Sequence, residues 1–171
     1  DNKKLIDLCY NFSVAWAGLR EADSAELYLH KALAENLKWN GHRKNTTLGL
    51  IQKYQGDELK KQQRFREAAG QYHQSIMQFC IDFNENDITR NPVDFTSAFS
   101  YINLFEALSA KAEVLEQQYR IDKDINQLIT SIHTYETAFN LADYVSKTYT
   151  SDESRLFLGK IKHTVHSKPI D

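Results

Sequence analysis

Cys80 and His73 are of the types needed for a nucleophile and its base, and both fall in the segment YHQSIMQFC. A thiol attacks once a neighbouring imidazole takes its proton. Along a helix, however, seven residues span two turns and about 10 Å of rise, too far for direct proton transfer. The spacing predicts structural roles for both. Cys9 and Cys80 each sit among apolar residues and are expected as small buried hydrophobes, not as a disulfide scaffold. His163 and His166, three apart, could share a helix face, but no Cys or acidic cluster is aimed at them to complete a metal site. Surface histidines near a helix C-terminus, where positive charge is favoured, fit better. Gly-rich phosphate loops and Ser-nucleophile motifs are missing from the sequence. The expectation is a chain without catalytic, cofactor-binding or metal-ligating residues, and so not an enzyme.

The elements that would carry these residues follow from composition. The 171 residues suffice for one domain or a short repeat array. Hydrophobic residues make up 42% and charged residues 26%. With 21 Lys and Arg against 23 Asp and Glu, the net charge of −2 argues against a nucleic-acid binder. Only 6 Gly and 2 Pro favour long helices over a turn-rich β fold. No apolar run reaches the length that spans a bilayer. The one Met is Met77, so the sequence reads as a fragment of a larger protein, and a cytoplasmic location is expected.

Apolar residues recur at three- and four-residue steps through most of the chain, as in Leu5, Leu8, Cys9, Phe12 and Trp16. Breaks fall at residues 21–24, 39–43, 64–66 and 120–124, with one long loop at 82–94. Seven helices and no strand are predicted. They pair as hairpins over about 5–39, 46–80 and 95–149, with a last helix at about 152–167. That helix is expected to cap the array by packing on Tyr135, Ala138 and Phe139.

The hairpins repeat a pattern. Gly56 is followed by Leu59, Ala68 and Tyr72; Ser13 is followed by Trp16, Ala25, Leu29 and Ala32. Each set places a small residue, a large one at +3, an Ala at +12 and a large one at +16. Two closely crossing helices need small residues where their backbones meet, with large neighbours filling the grooves. Gly56 with Ala68, and Ser13 with Ala25, are the expected crossing points.

With Y-Q-G-D-E-L and F-R-E-A-A-G-Q-Y in the second hairpin, the chain resembles the tetratricopeptide repeat family. The first hairpin fits with Ser13 for Gly and Trp16 for Tyr. The third fits more loosely, through Ala112, Tyr135 and Ala138, and is expected to be elongated. The resemblance implies an all-α fold, an α-solenoid of about three antiparallel helix hairpins plus a C-terminal capping helix. A narrower stretch is similar to the helical repeats that precede a CHAT domain, a caspase-like peptidase module of bacteria. It is carried by Asn91-Pro92, Lys111-Ala112 and the run from Asn126 to Leu158. That family's catalytic His and Cys lie in the CHAT module, so no residue here inherits them.

By this resemblance the first helix of each hairpin lines a concave, partner-binding groove. Tyr10 and Val14 would face it from the first hairpin, Lys53, Asp57, Lys60 and Lys61 from the second, and Ser109 and Glu113 from the third. Lys53-Tyr54-Gln55-Gly56-Asp57 imitates the family's carboxylate clamp, except that Asp57 stands where Asn should donate a hydrogen bond. A carboxylate there would repel the ligand's own. The function implied is a non-catalytic scaffold that binds a protein or peptide, or holds a following CHAT module in the same chain. The alternative is a helical sensor that encloses a peptide or small ligand in a pocket, which converging buried polar residues would favour.

Overall fold

The turn at Leu19–Glu21 folds the chain back because Arg20 takes a left-handed backbone conformation, φ 64°. It joins α1 (Asn2–Gly18) to α2 (Ala22–Asn40), and Gly41, at φ 58°, ends α2. The computed structural model describes residues 2–148 together with Gly159 and Ile161. Asn45 then starts α3 (Thr46–Lys61): its backbone is extended and its Oδ1 accepts from the Leu48 amide at 2.9 Å. Gln63, at φ 60°, makes the turn into α4 (Phe65–Phe79). Ser100 caps α5 (Tyr101–Asp122), and left-handed Lys123 leads into α6 (Ile125–Thr148).

The architecture is all-α. Among the described residues there are six helices, and the one β feature is an isolated bridge between Cys80 and Ala98. The pairs α1–α2, α3–α4 and α5–α6 pack side by side, and α4 also lies along α5. By contrast, α3 meets α1 and α2 sparsely. The predicted last helix, 152–167, lies outside the described residues, apart from Gly159 and Ile161.

The rationing of small residues has a direct cause. A Cβ built on Gly56 would lie 2.7 Å from the Tyr72 ring, and one on Gly49 would lie 2.5 Å from Phe79. The two glycines are seven apart on α3 and the two aromatics seven apart on α4, so one antiparallel register seats both rings against bare backbone. Gly56 therefore receives an aromatic ring, a different contact from the predicted approach to Ala68. Ser13, Ala25, Ala32, Ala68, Ala112 and Ala138 are all buried as the repeat pattern requires. Trp16, Leu59 and Tyr135 are half-buried.

The third hairpin begins later than expected, at Tyr101 instead of residue 95. The apolar period does reach Phe95, but the local amides have other acceptors. Asp94 Oδ1 takes the Thr96 amide at 2.9 Å, and the Phe99 amide bonds the Phe79 carbonyl at 2.8 Å. Residues 95–99 are thus tied to the end of α4 before a helix can form. The largest apolar cluster lies between the second and third hairpins, built on Ile76, Phe79, Leu104, Leu108 and Leu141. Cys9 and Cys80 are buried, free thiols.

Candidate functional site

Of the residues singled out on α3, Lys53 and Lys60 each form an ion pair with α5. Lys53 Nζ lies 3.4 Å from Asp57 and 3.6 Å from Glu106, and Lys60 Nζ lies 2.7 Å from Glu113. Seven residues separate the two lysines, and seven separate the two glutamates. The pairs are therefore successive rungs across the sparse contact between α3 and α5, both of which pack on α4. Lys61 turns instead to Glu58 on its own helix, at 2.6 Å.

Asp57 is held from a second side: the Tyr72 hydroxyl donates to its Oδ1 at 2.7 Å. Burial, then the charge and hydrogen bond of Asp57, push the Tyr72 hydroxyl far up, so it stays a donor. The same face continues onto α1 through Tyr10, whose hydroxyl is raised by burial and by the nearby Asp57 carboxylate. Val14 is exposed on α1, and Ser109 is half-buried on α5. This face is polar and largely self-neutralised. An incoming carboxylate meets Asp57, and the Lys53 beside it is already engaged by two acids. The clamp-like Lys-x-x-Gly-Asp run thus serves the chain's own packing.

A second polar cluster is buried under the 82–94 loop. Lys111 is 0% exposed, and its ammonium donates to Asn91 Oδ1 at 2.9 Å and to the Arg90 carbonyl at 3.1 Å. Its third contact is His73 Nδ1, at 3.1 Å. His73 Nε2 lies 2.7 Å from the Glu85 carbonyl, which can only accept, so Nε2 carries the ring proton and Nδ1 receives from Lys111. Asn91 passes a bond on to Thr134 at 3.1 Å. Burial brings Lys111 down to about 7, and burial with the Lys111 charge brings His73 down to about 4.

These buried polar groups converge, as the sensor alternative requires, but they satisfy one another. Cys80 takes no part: its thiol faces the Asp94 carbonyl and Ser97, while His73 faces the loop. The loop is pinned from its other end by Lys44, whose Nζ donates to the carbonyls of Cys80, Ile81 and Phe83. The largest of the described cavities, about 550 Å³, is an open cleft between the first two hairpins, with Ala25, Leu29 and Leu59 among its walls. Among the described residues no group of three or more His, Cys, Asp or Glu is placed to hold a metal, and no helix is long and apolar enough to cross a membrane.

Sequence reasoning missed Glu106 and Lys44, and it singled out Lys111 only as part of the Lys111-Ala112 resemblance, not as a buried cation. Lys111 carried a signal: it interrupts the apolar line Leu104, Leu108, Leu115 at helical spacing, where an unpaired charge would be costly. Compared with protein-family models, curated proteins and solved structures, the chain matches none.

Proposed function

We propose that the chain is a non-catalytic interaction module of tetratricopeptide type, a scaffold whose ligand lies across α1, α3 and α5. The observation that supports it is the double rung Lys53–Glu106 and Lys60–Glu113. It aligns the first helices of two hairpins and presents half-exposed charges of both signs, flanked by Tyr10. Such a surface suits a peptide segment that carries acidic and basic residues in alternation, each exchanging with a rung without stranding a charge. A strongly acidic ligand would meet Asp57, Glu106 and Glu113. The parent protein fitting this role is a bacterial one in which the module recruits a partner or restrains a CHAT-type peptidase module.

The catalytic reading is disfavoured by bonding. Both nitrogens of His73 are engaged elsewhere, and the Cys80 thiol is buried against a loop carbonyl. The sensor alternative draws on the 550 Å³ cleft, whose size suits a small ligand but which is open to solvent.

The test selects peptides from a displayed library on the immobilised chain and measures binders by calorimetry. Substituting Lys53→Ala with Lys60→Ala should weaken the selected peptides at least tenfold, about 1.4 kcal/mol. Peptides that bind the double variant as tightly as the parent would place the binding surface elsewhere.

A further inference from the structure

Between two seated side chains, the 82–94 loop is held down mainly by polar bonds. Phe83 and Pro92 are buried, and the Phe83 ring stands nearly perpendicular to that of His73, 5.6 Å away. From Asn84 to Arg90 every side chain is exposed except half-buried Ile88, which touches the cluster around Ala68 and Ala69. Among the described residues, four hydrogen bonds tie residues 84–91 to the helices. His73 makes one, to the Glu85 carbonyl, and Lys111 makes two, to the Arg90 carbonyl and Asn91 Oδ1. The fourth runs from Asn91 to Thr134. Two buried basic side chains, from α4 and α5, thus hold a span that has little apolar grip of its own.

That arrangement accepts one proton and resists a second. With one, the Lys111 ammonium donates to His73 Nδ1 at 3.1 Å. With two, Nδ1 becomes a donor facing another donor, and two positive charges adjoin without a carboxylate bonded to either. The Glu85 carbonyl accepts from a charged ring as readily as from a neutral one, so the failure is confined to the contact between the cations. They can separate only by admitting water. Helices α4 and α5 share apolar clusters on both sides of the pair and do not yield. The span 84–91 does, because it buries least.

We propose that residues 84–91 are an acid-released strap, lifted by the second proton on the His73–Lys111 pair while Phe83 and Pro92 stay seated. Of the charged groups facing the pair, Asp87 favours both cations, but its carboxylate is committed to the Thr89 amide and hydroxyl, at 2.9 and 2.8 Å. The side chains of Glu85 and Arg90 on the strap are exposed. On α4 Tyr72 is turned to Asp57, α6 reaches the cluster through uncharged Thr134, and Lys44 bonds carbonyls at the seated end of the loop. While the strap is closed, burial and the Lys111 charge bring His73 down to about 4; in the open form water returns it towards 6.5. The open form binds the proton more tightly, so the closed strap is favoured fully above 6.5 and is lost as the pH falls towards 4.

The test is cleavage of the full chain after Glu85 by a glutamyl endopeptidase active at both pH 6.5 and 4.5. The carbonyl of that bond is the one His73 holds, so cutting reports the open population. The rate is divided at each pH by that of a free peptide of residues 80–95, which removes the protease's own pH dependence. For the parent this ratio should rise at least about tenfold from pH 6.5 to 4.5, while Glu67 on α4 and Glu106 and Glu116 on α5 stay uncut. In His73→Gln, whose carboxamide donates to Glu85 and accepts from Lys111 without titrating, it should change by less than about twofold. Lys111→Met removes the other cation and should flatten the rise as well. A parent ratio that ignores pH overturns the proposal, as does a rise kept in either variant. Cuts in α5 as fast as those at Glu85 would also overturn it, since the whole chain would then be opening. None of these outcomes touches the α1, α3 and α5 face, which peptide binding tests separately.

Discussion

Lys111 Nζ donates to His73 Nδ1 across 3.1 Å, and among the described residues no carboxylate oxygen bonds either group. A buried ammonium thus rests on three neutral acceptors. Loss of its proton would turn a lone pair toward one of them, which favours the charge, while burial opposes it. Burial wins by enough to bring Lys111 from 10.5 to about 7. Between those values the unfolded chain holds a proton that the folded chain lacks, so stability rises with pH. Relative to Lys111→Met, the parent should gain about 1.4 kcal/mol per pH unit between pH 7 and 9 in urea unfolding. A constant difference would mean that Lys111 keeps its ordinary titration.

His73 has the same sign in a lower window. Its pKa falls from 6.5 to about 4, so its contribution is complete above 6.5 and is lost as the pH falls from there towards 4. The parent should lose up to about 3 kcal/mol relative to His73→Gln across that window, read from melting temperatures at pH 6.5, 5.5 and 4.5. Parallel curves for the two proteins would contradict the buried, neutral imidazole.

Glycines separate packing from propensity. Gly56→Ala drives a methyl into the Tyr72 ring and should destabilise by about 1–3 kcal/mol. Gly70→Ala, in α4 with nothing within 4 Å, should stabilise by about 0.5–1 kcal/mol. Thermal melts that shift the same way for both would refute the α3–α4 register.

The rung between Lys60 and Glu113 should show a coupling of about 0.5–1 kcal/mol in a double-mutant cycle, shrinking in 1 M salt. Zero coupling at low salt would leave the pair as a bystander of helix packing.

Much of this molecule was legible in its residues, and the legible part was periodic. Helix positions, the buried alanines and the special status of Gly56 follow from side-chain spacing, because helix packing is a repeating geometry. The start of α5 was not legible: Phe95 continues the apolar period, yet Asp94 and the end of α4 claim the amides that a helix needs. Lys53, Asp57, Lys60 and Glu113 could be picked out from their places on first helices, but not that Lys60 and Glu113 would pair, nor that Glu106 would answer Lys53. Glu106 lies more than forty residues away and becomes a neighbour only through the α4–α5 packing. Lys44 was invisible for a related reason, since its acceptors are main-chain carbonyls, which no residue type announces.

The unequal joins between hairpins have a mechanical consequence. Where α4 lies along α5, the second and third hairpins share a core and should open together; where α3 meets α1 and α2 sparsely, little resists a change of angle. The reciprocal amide bonds between Asn36 and Asn45, at 3.0 and 3.2 Å, sit at that weak join like a pivot. The first hairpin is then the unit whose amides exchange earliest, at a free energy below that of global unfolding. A ligand gripping Tyr10 and Lys53 together must still that pivot and would tighten slowly. One confined to α3 and α5 meets a surface already rigid.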